Sequence, residues 1–462
     1  MIGPEHHRAR CRALSALVSG PILLMGNGER QRNAAYEFPF RQDSTFLWAT
    51  GCRIPHAAAL IIDGACTLFV PEPSPDDALW EGRVESLEAI HQRLGVHAVR
   101  PLTELNAACG QVQPQLALAV ADPHATSAAG VRSGCDLAWN QRPGPERLVR
   151  AVATLRNRKA PEEIRELERA AAATEATFRT CMSATAPGQT EAGMGALFEA
   201  VLAMQGCHTS FPTISTVRGE VLHNRHRVNT LEAGQLLLMD GGAEVPSGYA
   251  ADVTRTWPVS GRFDARQRAA YAAVLAAEQA GIDACQPGVR YREVHFAAAR
   301  VMARFLVDEA LITCSPDAAV EAGAHALFFP HGVGHLLGLD VHDVEDLGDT
   351  VSYAPGRERS DQFGTRFLRL DLDLEPGFYV TVEPGFYIVR PILEHPELRE
   401  RFDGLVDFER AASWYGFGGI RIEDDVLITD TGNRVLTAGI PKSIEAIEAL
   451  VGSGRTATER LG

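Results

Sequence analysis

LLLMDGGAEVPSGYAADVTRTWPV, residues 236–259, decides the fold. An apolar run leads into Asp240, Pro246-Ser247-Gly248 supplies turn residues, and a second strand-like run leaves Asp252. The pattern predicts a hairpin with both aspartates on one sheet face. A single Asp at a strand end is ordinarily structural. Two that converge inside an apolar hairpin need a reason, because a buried carboxylate must be paired or bound to a cation.

Three further segments join it. FFPHGVGHLLGLDVHDVED (328–346) holds His331, His335 and His342. His331 and His335 have the spacing of a helical zinc-protease pair. Gly332 stands where that motif needs glutamate and Gly334 opposes helix, so the motif is rejected. A lone histidine is more often a core residue, but three in one glycine-rich stretch point to function. FYVTVEPGFYIV (378–389) and FGGIRIEDDVLIT (417–429) set Glu383 and Glu423 inside apolar strand patterns, where glutamate is rarely buried unpaired. With Asp240, Asp252 and His335 they form a candidate ligand set.

Around these segments the chain reads as α/β (α+β). Residues 21–25, 57–62, 65–70 and 116–121 read as short buried strands, and 76–94 has helical spacing. This α/β domain is expected over 1–150, closing in a linker at 140–147 (NQRPGPER). A second domain is expected over 151–462. Helix dominates 147–182, with a start at Pro161, and returns over 264–285 and 291–310. The last ~12 residues read as a mobile tail.

Composition narrows the function. With 462 residues, 45% hydrophobic and 22% charged, the chain is globular and not disordered throughout. A net charge of −15 argues against a nucleic-acid partner bound through phosphates. Lys159 and Lys442 are the only lysines, which reads as genome composition. The nine cysteines are odd in number and lack CxxC spacing, so neither a disulfide framework nor structural zinc is expected. A reducing, cytoplasmic location is the simplest expectation. The apolar stretch 13–25 is broken by Ser19, Gly20 and Pro21, unlike a signal peptide, and no run is long enough for a membrane span. There is no P-loop, no GxSxG elbow, and GVGHLLG does not fit the dinucleotide fingerprint.

Segments 235–256, 330–343, 380–386 and 418–428 resemble the aminopeptidase P/prolidase branch of the pita-bread metallopeptidases. FPFRQDSTFLWATG (38–51) and LFVP (68–71) resemble that branch's N-terminal domain. The resemblance implies a C-terminal pita-bread domain with two divalent metal ions. Its ligands would be Asp240, Asp252, His335, Glu383 and Glu423, with Asp252 and Glu423 shared between the ions. It further implies Glu383 as proton shuttle, His331 and His342 as groups stabilising substrate and oxyanion, and His223 as a substrate-binding histidine. Arg421 would support the metal-binding strand beside the substrate site. Asp240 and Asp252 are 12 apart, one more than the family pattern, and the extra residue fits the 246–248 turn. Four carboxylates and a neutral imidazole carry −4, matching two divalent cations. Oxygen-rich ligation without thiolate suits manganese.

The implied activity is release of the N-terminal residue from peptides with proline second. The alternative is a strict Xaa-Pro dipeptidase, in which Arg369 would grip the dipeptide carboxylate. Outside that class stands a non-catalytic binding module, against which the complete ligand set argues. Dimerisation is a family expectation only.

Overall fold

The computed structural model describes residues 2–73, 75–80, 82 and 84–461. The chain divides into two compact units, residues 1–157 with 344–352, and residues 158–343 with 353–462.

The first unit is built on a five-stranded sheet of order β4-β3-β2-β1-β5. Its strands are β1 (Ile22–Met25), β2 (Ala58–Ile62), β3 (Ala65–Val70), β4 (Ala98–Pro101) and β5 (Leu116–Ala117). The apolar runs of β1 and β2 are buried almost throughout. Asp63-Gly64 joins β2 to β3, with φ of 49° and 80°. Positive φ at both loop residues makes the tight hairpin whose twist matches its strands. β1 pairs antiparallel with β2 and parallel with β5.

Two expectations need correction here, and one helix was not anticipated. Residues 118–120 continue β5 as buried chain outside the sheet ladder, Ala119 donating to the Pro143 carbonyl at 2.7 Å. The helix expected over 76–94 is two helices, Pro75–Trp80 and Leu87–Leu94, the second started by a Ser86 cap. Glu81 and Arg83 in that stretch lie outside the described residues. A helix at Pro4–Leu17, whose weak apolar pattern gave no signal, precedes β1.

The second unit repeats one device: two helices in sequence followed by strands that carry acidic residues. The first pair is Pro161–Ala184 and Glu191–Met204, the second Ala265–Ala284 and Tyr291–Asp308. Pro161 occupies the first turn as sequence predicts, and Glu163 closes it by accepting from the Ala160 N–H at 2.9 Å. Asp264 and Gln267 form a reciprocal cap on the third helix.

The strands of this unit are β6 (His208–Thr209), β7 (Ile214–Thr216), β8 (Leu236–Gly241), β9 (Ala243–Glu244), β10 (Val253–Pro258), β11 (Tyr379–Val382), β12 (Gly385–Tyr387), β13 (Gly419–Arg421), β14 (Asp424–Thr429) and β15 (Gly432–Val435). They form antiparallel groups β10-β8-β7 and β11-β14-β15, with pairs β12-β13 and β6-β9. The C-terminal stretch, expected as a free tail, is docked. Gly452 and Gly454 donate to the Met182 and Ser183 carbonyls at 3.1 and 2.8 Å, and buried Ala457 opens a short helix to Leu461. Gly462 lies outside the described residues.

Candidate metal centre

The hairpin predicted from 236–259 forms. Gly248 donates to the Val245 carbonyl at 2.7 Å, closing the turn around Pro246-Ser247. β8 and β10 then pair so that Asp240 stands opposite Thr254. Asp252 is two residues before Thr254, so both aspartates share one face. Thr254 continues that face and binds two site residues. It donates to Glu423 Oε2 at 2.7 Å and accepts from Arg421 Nε at 3.0 Å.

Asp252, His335 and Glu423 converge from a hairpin, a loop and the residue just before β14. One ligand atom from each lies within 4.8 Å of the others. All three side chains are buried. Glu383, between β11 and β12, brings Oε1 to 3.5 Å from His335 Nε2, while Asp252 Oδ2 lies 3.4 Å from the same nitrogen. Asp240 completes the acidic wall through Arg421, whose Nη2 donates to its Oδ2 at 2.5 Å.

The protons decide what this cluster can do. His335 Nδ1 lies 3.0 Å from the Leu336 carbonyl, which can only accept, so Nδ1 carries the hydrogen. In the neutral ring Nε2 is then a bare lone pair aimed at two carboxylates. Acceptors facing acceptors at such distances need a proton or a metal ion between them. The Oδ1 atoms of Asp240 and Asp252 are buried without a hydrogen-bond partner among the described residues. Burial, then the neighbouring Asp240, pushes the Asp252 pKa well above its ordinary value. Burial, then Asp252 and Glu383, does the same to Glu423. Glu383 is raised as well, chiefly by burial. Ionising this group without a cation is costly, and its oxygen and imidazole donors suit divalent metal ions.

The remaining predicted residues surround the centre. His342 stacks edge-on against His335, with ring centroids 4.3 Å apart. Arg369 Nη1 lies 3.2 Å from His342 Nδ1, so this arginine reaches the site. His331 has both ring nitrogens engaged: Nδ1 lies 2.8 Å from the Gly332 carbonyl and Nε2 2.9 Å from the Tyr387 hydroxyl. Its Nδ1 is also 3.8 Å from Glu383 Oε2. Burial, then the Arg421 charge, lowers the His331 pKa to about 3, so its ring is neutral. His223 lies on an exposed turn, and partial desolvation followed by the Arg421 charge lowers its pKa. Arg421 is buried and reaches Asp240, Thr254 and Tyr387, which makes it a support of the acidic wall.

Two members of the site escaped the sequence reading. Tyr387 accepts from Arg421 Nη1 at 3.1 Å and meets His331, linking acid wall to histidine. Inside FYIV it reads as an ordinary packing residue. Thr254 was visible in principle, since the period of two puts it on the face of Asp252.

Residues 165–430 match the sequence pattern of metallopeptidase family M24. The chain belongs to this family. Residues 6–116 of this M24 peptidase match the aminopeptidase P N-terminal domain, so the N-terminal and pita-bread architecture expected from sequence is borne out. It is 32% identical to an Escherichia coli Xaa-Pro aminopeptidase over 477 residues, covering 98% of each chain. It is also 32% identical to a human Xaa-Pro dipeptidase over 453 residues, covering 95% of this chain and 90% of that protein. Among solved structures, aminopeptidase P from E. coli with the inhibitor Pro-Leu aligns with a TM-score of 0.79 at 30% identity, covering 97% of this chain and 98% of that one. An aminopeptidase from Pseudomonas aeruginosa gives a TM-score of 0.79 at 28% identity, covering 99% of both chains. The M24 chain is therefore a metal-dependent peptidase.

Proposed function

We propose that this M24 peptidase is an Xaa-Pro aminopeptidase that removes the residue preceding a proline in second position. The observation that carries the reading is the approach of Asp252, His335 and Glu423 to within 4.8 Å, with Asp240 and Glu383 beside them. End-to-end similarity to Xaa-Pro aminopeptidases, N-terminal domain included, supports the substrate class. Asp240, Asp252, His335, Glu383 and Glu423 would hold two divalent ions, Asp252 and Glu423 touching both. The all-oxygen and imidazole donor set favours manganese. Nine free cysteines accord with a cytoplasmic enzyme.

Bound ions of this kind polarise a scissile carbonyl and lower the pKa of water. The chain supplies the rest. Glu383 accepts a proton from the attacking water and returns it to the leaving proline nitrogen. His342 donates to the carbonyl oxygen as negative charge develops there. With both nitrogens already engaged, His331 serves mainly to orient Glu383 and Tyr387. His223 contacts substrate from the exposed turn. A proline nitrogen has no hydrogen, so a site built around it loses nothing that an extended-backbone peptidase requires.

A second reading, a strict Xaa-Pro dipeptidase, is favoured by one observation: Arg369 reaches His342 and can meet a substrate carboxylate at the site. Turnover of Xaa-Pro-Yaa tripeptides beside Xaa-Pro dipeptides, with and without manganese, tests both. Manganese-dependent cleavage of tripeptides is the expected result. Cleavage of dipeptides alone would move the assignment to dipeptidase.

A further inference from the structure

We propose that Lys159, one of only two lysines in the chain, is a positioning residue for His342. The inference rests on the reading of His342 as the donor to the substrate carbonyl. Lys159 Nζ donates to Asp343 Oδ2 at 2.9 Å, and the two side chains are 1% and 2% exposed. Asp343 directly follows His342. A buried ammonium is strongly disfavoured unless an anion holds it, so this contact is a fixed point and not a mobile surface pair.

The fixed point is tied on both sides. The Lys159 backbone N–H donates to the Gly377 carbonyl at 2.8 Å, in the turn leading to β11 and Glu383. The Asp343 N–H donates at 3.0 Å to the Leu336 carbonyl, which also lies 3.0 Å from His335 Nδ1. The loop 336–343 is thus closed on itself, with His342 at its end against the His335 ring. Space around the pair is tight. A Cβ on Gly338 would lie 2.5 Å from Asp343 Oδ2 and 2.8 Å from Lys159 Cε.

A second observation points the same way. Val344, the next residue, has φ of +58°. A β-branched residue in the left-handed region is strained and persists only where its surroundings impose it. The backbone after His342 is therefore held away from its relaxed path, and the Lys159–Asp343 contact is the anchor immediately before the strained residue. Taking the ammonium away lets the loop relax and withdraws the His342 ring from its place beside His335 and Arg369.

The test uses Lys159→Met, close in length and neutral, in wild-type and His342→Ala backgrounds of the full chain. Kinetics on an Xaa-Pro-Yaa tripeptide at saturating manganese are read with bound manganese and circular dichroism. Misplacing a catalytic group from a distance is expected to lower kcat about ten- to hundred-fold with KM little changed. Manganese content should be unchanged. In the His342→Ala background the same substitution should change kcat less than about two-fold, because both changes act through one group. Equal losses in both backgrounds would overturn the proposal, as would loss of manganese, which would place the effect at His335. Wild-type kcat in Lys159→Met overturns it too. A His342→Ala variant with unimpaired kcat removes instead the underlying reading of His342. If Lys159→Met does not fold, Asp343→Asn carries the same comparison, since it removes the charge pairing and keeps an acceptor oxygen.

Discussion

Glu423 and Asp424 are neighbours in sequence, both buried, and they live in opposite electrostatic worlds. Glu423 faces Asp252, Glu383 and His335. Asp424, on the other face of the chain, accepts from Arg255 Nη2 at 2.7 Å, Thr437 Oγ1 at 2.7 Å and Lys442 Nζ at 2.6 Å. Lys442 also donates to Glu278 at 2.7 Å. Burial disfavours the charged form of Asp424, yet Arg255 and Lys442 outweigh it and bring its pKa down to about 2. Burial and Asp424 push Glu278 up to about 8, so this cluster lies between neutral and one positive charge. On the Glu423 face four carboxylates meet one guanidinium, Arg421, and Asp252 and Glu423 are pushed well up. The difference teaches which buried acids are structural. Where the protein supplies its own cations, the cluster is finished. On the Glu423 face it does not, and divalent metal ions of the kind this peptidase family uses would complete it.

The strongest way to break this contrast is to remove an acid from the unbalanced side. Asp252→Ala or Glu423→Ala is expected to abolish turnover and metal binding together; near-normal activity in either would end the two-ion reading. His342→Ala comes next. As the loss of the proposed transition-state donor, it should lower kcat ~10²–10³-fold while metal content stays normal. A fall in metal occupancy would instead make His342 a ligand.

The balanced side should fail differently. Lys442→Met leaves Asp424 and Glu278 without their shared ammonium, and breaking a buried pair costs ~3–5 kcal/mol. The urea midpoint should fall, while kcat and manganese content of the folded fraction stay near wild type. The smallest effect sharpens substrate length. If Arg369 grips a terminal carboxylate, Arg369→Ala should weaken dipeptide cleavage roughly ten- to hundred-fold, the worth of a charged hydrogen bond, and spare tripeptides. Equal weak effects on both substrates would make it a bystander.

Much of this was legible from local pattern. Acids embedded in apolar strands are rare enough that Asp240, Asp252, Glu383 and Glu423 stood out, and the 246–248 turn announced its own hairpin. The helix start at Pro161 followed from its fixed φ at a first turn, and the helical stretch from 264 from its spacing. What sequence hid was pairing across distance. Lys159 and Lys442 looked like remnants of an arginine-rich composition, yet each is an ion-pair partner of a buried acid, Lys159 with Asp343 and Lys442 with Asp424 and Glu278. Tyr387 looked like packing because its hydroxyl partners, His331 and Arg421, are 56 and 34 residues away. The C-terminal stretch looked mobile because its anchors, Met182 and Ser183, lie far back in the chain.

The most direct test of the central claim is manganese stoichiometry on the full-length wild type by equilibrium dialysis, followed as pH is lowered. Two ions per chain are predicted. Burial and mutual repulsion raise the Asp252 and Glu423 pKa values well above their ordinary range, so protons compete with manganese for these carboxylates more strongly than at free ones. Binding should therefore release protons and weaken as pH falls through that raised range, in wild type and Lys442→Met alike. A wild-type chain that binds no manganese, and cleaves Xaa-Pro peptides equally well after chelation, would contradict the account.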